Sequence, residues 1–211
     1  MSPNELLPKR KDWWKSLFKF IIMCFLLFIL AHTSHAQDNI IRKGFTFGTS
    51  LGYGSIKYEH QNMPTKDDSF AFGLQVGYAI TQNIISGLEV NGWTIQAFND
   101  YAYNYYYYYD YNEPSEGESI SNISLFINMF PFKERPFYII GGVGKTYYDN
   151  YDQNADIRET GTSFSIGCGY EIPISEHWRF APQYKYSKGN FTGGEYRVSE
   201  ISIAFHWYSG R

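Results

Sequence analysis

Apolar and polar residues take turns along most of this chain with a period of two. Between Ser163 and Ser187, Phe164, Ile166, Cys168, Tyr170 and Ile172 alternate with Ser163, Ser165, Gly167, Gly169 and Glu171. After a short turn, Trp178, Phe180, Pro182, Tyr184 and Tyr186 alternate with Arg179, Ala181, Gln183, Lys185 and Ser187. A strand sends successive side chains to opposite faces, so this stretch predicts a β-hairpin with one apolar, aromatic-ended face and one small or charged face. In a soluble sandwich the apolar face would turn to a core. In a barrel crossing a membrane it would turn to lipid, and the polar face to a lumen.

Six further runs read the same way. Phe45 to Tyr58 sets Phe45, Phe47, Thr49, Leu51 and Tyr53 against a face of glycines and hydroxyls, poor soluble-core material but suited to a narrow lumen. A polar gap from Glu59 to Asp68 leads to Phe70 to Ile80, and the turn Thr81-Gln82-Asn83 to Ile84 to Phe98, whose alternation fails around Gly92 to Ile95 and suggests a bulge. Asn99 to Ser119 reads as a long exposed loop. Asn122 to Met129 stops at Pro131, and Lys133-Glu134-Arg135-Pro136 turns into Phe137 to Tyr148. The polar segment Asp149 to Thr160 precedes the hairpin, Asn190 to Arg197 forms its outer loop, and Glu200 to Trp207 is the last run. Eight runs with alternately long and short connections, and no helical period, predict an all-β, eight-stranded antiparallel up-and-down transmembrane β-barrel, closed so that no edge is free.

The leading segment agrees. Lys9, Arg10, Lys11, Lys15 and Lys19 precede an apolar run from Phe20 to Ala31, and Ser34-His35-Ala36 supplies small residues, the layout of a cleaved signal peptide over residues 1–36. A helical anchor is the competing reading, but twelve apolar residues rise only about 18 Å. Cys24 lacks the small-residue context of a lipoprotein site, so no lipid anchor is expected. Residues 37–211 then form one barrel domain with 13 Lys plus Arg and 19 Asp plus Glu, a net of −6. An acidic chain without a basic stripe gives no support to nucleic-acid binding. Cys168, the one cysteine after residue 36, cannot form an intramolecular disulfide there and reads as a small hydrophobe.

Three phrases carry a family resemblance: Gly77-Tyr78-Ala79-Ile80-Thr81-Gln82-Asn83-Ile84-Ile85-Ser86-Gly87-Leu88-Glu89, Pro136-Phe137-Tyr138-Ile139-Ile140-Gly141-Gly142-Val143-Gly144, and Gly167-Cys168-Gly169-Tyr170-Glu171. The chain resembles the eight-stranded outer-membrane β-barrel family that includes OmpX, the OmpA membrane domain and the opacity-type surface proteins. The resemblance implies the outer membrane of a Gram-negative bacterium, with its lipid and the barrel-assembly machinery as partners. It says little about activity, because such barrels host adhesins, lipid-modifying enzymes and small pores. The family ends on an aromatic residue; here Ser209-Gly210-Arg211 follow Trp207 and Tyr208.

Two constellations are candidate sites. The lumen face collects Glu89, Glu171, Glu200, Arg179 and Lys185 with Gln75, Asn91, Asn128 and His206. Charges in so narrow a space must pair, which predicts a salt-bridged plug; a narrow path for ions or hydrophobic compounds is the alternative. Lys145 breaks the apolar face of its strand and is expected to snorkel at the outer rim. The outer segments hold 13 acidic and 4 basic residues, and among them Tyr103, Tyr105, Tyr106, Tyr107, Tyr108 and Tyr109 form a cluster. Tyrosine offers large amphipathic contact at low entropic cost, which suits adhesion to a surface partner; anchoring at the headgroup interface is the alternative. Asp152 to Asp156 has the oxygen spacing of a calcium loop but lacks its glycine and bidentate glutamate, so a solvated acidic loop is expected. A barrel enzyme acting on lipid needs a His–Ser pair at the outer rim, and His60, His177 and His206 do not provide one. No enzymatic activity, cofactor or metal is therefore expected.

Overall fold

The computed structural model describes residues 42–60, 63–95, 117–132, 135–152 and 155–210. Nine strand segments run in order: β1 (Gly44–His60), β2 (Met63–Thr81), β3 (Ile84–Ile95), β4 (Gly117–Met129), β5 (Phe137–Asp152), β6 (Ala155–Tyr170), β7 (Ile172–Pro173), β8 (Trp178–Phe191) and β9 (Gly194–Tyr208). Each is antiparallel to its neighbours, and pairing of β6 with β8, from Ser163↔Gly189 to Gly169↔Gln183, closes the sheet. The two-residue β7 continues β6. Its partners, Ile172↔Phe180 and Pro173↔Arg179, keep the β6 register, and the gap falls where Pro182, opposite Tyr170, has no N–H to give. The barrel therefore has eight staves.

The outward parity is apolar over a belt. On β2, Phe70, Phe72, Leu74, Val76, Tyr78 and Ile80 are all exposed, as are Ile201, Ile203 and Phe205 on β9. Phe70 to Ile80 rises roughly 33 Å along the strand. Tilted as in membrane barrels, it spans roughly 25 Å, the height of a lipid-facing band. Aromatic side chains gather at its lower rim, where Phe45 meets Tyr78 edge-on at 5.3 Å and Phe180 meets Phe205 at 5.7 Å between ring centres.

The strands outrun the belt. Glu59 to Asp68, Asp149 to Thr160 and Asn190 to Arg197, expected as loops, are for the most part ladder: β1 and β2 pair as far as His60↔Met63, β5 and β6 as far as Asp152↔Ala155, and β8 and β9 as far as Phe191↔Gly194. They were masked as strands because the faces exchange roles. Above Tyr53 the inward residues become apolar, with Ile56, Tyr58, Tyr196 and Val198 buried, and the outward ones polar, with Lys57 and Arg197 exposed. This extension forms an outer collar.

The expected bulge at Gly92 to Ile95 is absent. β3 pairs without interruption with β4 through Ile95↔Glu118, and its one irregularity against β2 lies between Ala79 and Thr81, beside the turn. The alternation fails in sequence because Trp93 points inward and Gly92 outward, where the ring of its partner Phe72 covers it.

Candidate functional site

Side chains fill the lumen at three levels. At the periplasmic end, Arg42, just ahead of β1, is buried with its Nε 3.0 Å from Glu171 Oε2 and its guanidinium 3.5 Å from the centre of the Phe130 ring. Glu171 also accepts from the Tyr208 hydroxyl and lies 3.0 Å from His206 Nδ1. Around this cluster pack Phe126, Phe130, Tyr138 and Ile140. Tyr138 can cross the lumen because its strand partner is Gly169; a Cβ there would come within 2.4 Å of the Tyr138 ring.

The middle level is ionic. Lys185 Nζ lies 3.1 Å from Glu89 and 3.7 Å from Glu200, and donates to Asn91 Oδ1 at 2.9 Å. Gln75 donates to Glu89 at 2.6 Å, and Trp93 Nε1 to Glu200 at 2.7 Å. From Glu200 a hydrogen-bond chain runs through Ser202 and Gln183 to Tyr138. One ammonium holds two carboxylates, an amide shares Glu89 Oε1 with it and an indole takes Glu200 Oε2, which offsets much of the cost of burying the charges, while Glu89 Oε2 is left without a hydrogen bond.

The third level is the collar interior, where Ile56, Tyr58, Trp93, Ile120, Tyr148, Phe191, Tyr196 and Val198 form an apolar core. Tyr148 stacks on Phe191 at 4.8 Å, and the Tyr196 hydroxyl, donating to Asn122 at 2.8 Å, joins this core to the polar layer below. Its strand partner Gly189 leaves room for the ring.

The five charges singled out in the sequence thus occupy two clusters. Glu89, Glu200 and Lys185 meet. Glu171 lies lower and takes its cation from Arg42, which sequence reasoning missed although it continues the inward parity of β1. Arg179 sits at the mouth, with Nη1 donating to the carbonyls of Ser175, Glu176 and Trp178. A cleft beside it, lined by Gln75, Phe126, Asn128, His206 and Tyr208, has space for about one water.

On the outside, Lys145 lies beside the belt edge with its ammonium 5.3 Å from the Tyr147 ring, whose other neighbour is Arg158 at 5.0 Å. Glu195 accepts from Arg197 at 2.7 Å and pairs with Lys188 at 3.3 Å; these partners, Arg197 first, hold its carboxyl below the usual range. The tyrosines from Tyr103 to Tyr109, residues 1–41 and the side chains of 150–157 lie outside the described residues. Among those described, no cluster of His, Cys, Asp and Glu has the grouping to hold a metal ion.

A family model described as outer membrane protein beta-barrel domain matches residues 24–208. No curated protein matches the chain. Among solved structures, Neisserial surface protein A is similar with a TM-score of 0.59 and 12% identity, covering 79% of this chain and 98% of that one. Ail, the attachment invasion locus protein of Yersinia pestis, in complex with the heparin analogue sucrose octasulfate, is 11% identical over 78% of this chain and 99% of its own, with a TM-score of 0.48. OprG from Pseudomonas aeruginosa is 12% identical over 80% and 98%, with a TM-score of 0.41. At these identities the likeness is one of fold.

Proposed function

The chain belongs to the outer membrane protein β-barrel domain family, and from that premise we propose that it is a closed, non-enzymatic barrel whose work is done by the surface segments it holds outside the cell. The observation that carries this reading is the filled lumen: an apolar core in the collar, the Lys185 cluster beneath it and the Arg42–Glu171 cluster at the mouth. An ion would have to part all three, and charges freed from their partners in so low a dielectric are costly. The histidines support the absence of chemistry. His177 and His206 both lie at the periplasmic end, beside Tyr208 and Glu171, away from the outer rim where a His–Ser pair acting on lipid would sit. The collar gives the acidic, tyrosine-rich segments a rigid base above the membrane, which suits binding to a surface partner.

Two measurements test the proposal. Reconstituted in planar bilayers, the protein is expected to show no steady conductance; a steady current altered by Glu171→Ala or Arg179→Ala would make it a small pore instead. Deletion of Asn104 to Asp110 is expected to leave the heat-modifiable gel band intact and to lower attachment of whole cells to a carbohydrate-coated surface. Unchanged attachment would remove the tyrosine cluster from the function.

A further inference from the structure

The outward face of the collar carries a row of like charges. Lys188, Arg197 and Lys57 are direct cross-strand partners on β8, β9 and β1. Like charges directly opposite one another destabilise a sheet, so folding does not call for this row. Its surroundings are layered. The row nearer the belt is Tyr186, Ser199, Ser55 and Asp68, and the row farther out is Asn190, Glu195, Glu59 and Pro64. Glu195 braces Arg197 and Lys188 from the side away from the membrane, so an anion arriving from the lipid side along β8, β9 and β1 meets hydroxyls and cations before that carboxylate; Asp68 bounds the site on β2.

The row is not repeated on β3 and β4. At the same level, β3 and β4 present Gly92, Thr94, Ser121 and Ser119, with no cation. The outer segments are acidic overall, yet Lys188 and Arg197, two of their four basic residues, stand in this row with Lys57; Arg158, on β6, and Lys145, on β5, flank the Tyr147 ring instead. The row begins two residues beyond Tyr186 and reaches four beyond Tyr53, the height of the headgroup phosphates next to a lipid-facing belt. Lys and Arg clusters at that height read as sites for anionic lipid.

We propose that the β8–β9–β1 face of the collar binds the phosphorylated headgroup of an outer-leaflet lipid, with Lys188, Arg197 and Lys57 on the phosphate and Ser199 and Ser55 beneath it. Phosphate is a strong acceptor, and two or three such charge-assisted bonds relieve the repulsion within the row.

The test uses protein purified from outer membranes and reconstituted into phosphatidylcholine vesicles with or without diphosphoryl lipid A. The temperature at which the compact gel band is lost should rise by roughly 5 °C or more with lipid A. The K57Q/R197Q/K188Q variant should lose that rise while keeping its midpoint in phosphatidylcholine alone, and the milder K57Q/R197Q should lose part of it. The S119E/S121E variant, across the barrel, should keep it. No rise, an equal rise in both cation-removing variants, an equal rise with dephosphorylated lipid A, or an equal rise with inorganic phosphate in place of lipid A would each overturn the proposal.

Discussion

Phe47 and Ile56 stand on one strand and lie on opposite sides of the barrel wall, Phe47 42% exposed and Ile56 fully buried. The period of two runs unbroken between them, so what changes is which parity is apolar. Below Tyr53 the medium outside is hydrocarbon, and apolar side chains face out while Glu89, Lys185 and Glu200 sit inside. Above it the medium is water, and the collar returns to the soluble rule, with Tyr196 and Val198 in and Arg197 out. β5 makes the same exchange between Val143, exposed, and Tyr148, buried. The same reversal recurs on β9, between Ile201, exposed, and Val198, buried.

The comparison breaks most visibly by exchanging the two interiors. Lys185→Met removes the cation from the belt interior and strands two buried carboxylates, and Val198→Lys puts an unpaired cation into the collar core; each should cost roughly 3–5 kcal/mol. Lys57→Leu, beside Val198 in sequence terms only by parity and exposed outside, should stay within about 0.5 kcal/mol. Urea unfolding in lipid vesicles, followed by tryptophan fluorescence, reads all three. Equal losses for Val198→Lys and Lys57→Leu would mean that the collar has no inside. The same titration on Leu51→Arg should show a loss of roughly 2–4 kcal/mol, the depth-dependent cost of a charge on a lipid face.

Trp93 stands where the two regions meet. Its ring lies 6.0 Å from that of Tyr196 in the collar core while its N–H reaches Glu200 in the ionic layer. Trp93→Phe keeps most of the packing and leaves a buried carboxylate oxygen without its donor, at a cost of roughly 1–3 kcal/mol in the same titration. A loss near zero would show that Glu200 needs only Lys185.

The belt was legible in the sequence because period and polarity agree there: Phe70 to Ile80 and Glu200 to Trp207 announce strands, faces and lumen together. The collar was not, because a sequence reading assigns strands by a fixed apolar face, and Lys57, Glu59, Glu195 and Arg197 sit where that face was expected. Trp93 was hidden for the same reason, being an aromatic residue on the polar parity next to a glycine on the apolar one. The lumen charges could be collected from parity alone, but their grouping could not. Which carboxylate Lys185 meets depends on the cross-strand register and on the path across the barrel, which brings β8 against β3 at a separation of 96 residues. Arg42 lay before the first recognised run, and only by extending the inward parity of β1 two residues past its start could it have been marked as a lumen residue.

The smallest effect belongs to the outer face of the collar. Arg197 and Lys188 lower the Glu195 pKa, so whatever the network adds to stability is present above the ordinary carboxylate range and fades as pH falls through the lowered value. Glu195 is exposed, and its ion pairs are screened by salt. Glu195→Gln should therefore differ from the unaltered protein by a barely measurable shift in the heat-modification midpoint at neutral pH and low salt, and by a still smaller one as pH falls below the ordinary carboxylate range or in molar salt. The same substitution leaves Arg197 and Lys188 without their bracing carboxylate, so the lipid A-dependent rise should be kept or increased. A large loss of stability at pH 7 would show that the collar is held from outside by its charges rather than from inside by Ile56, Tyr148 and Val198.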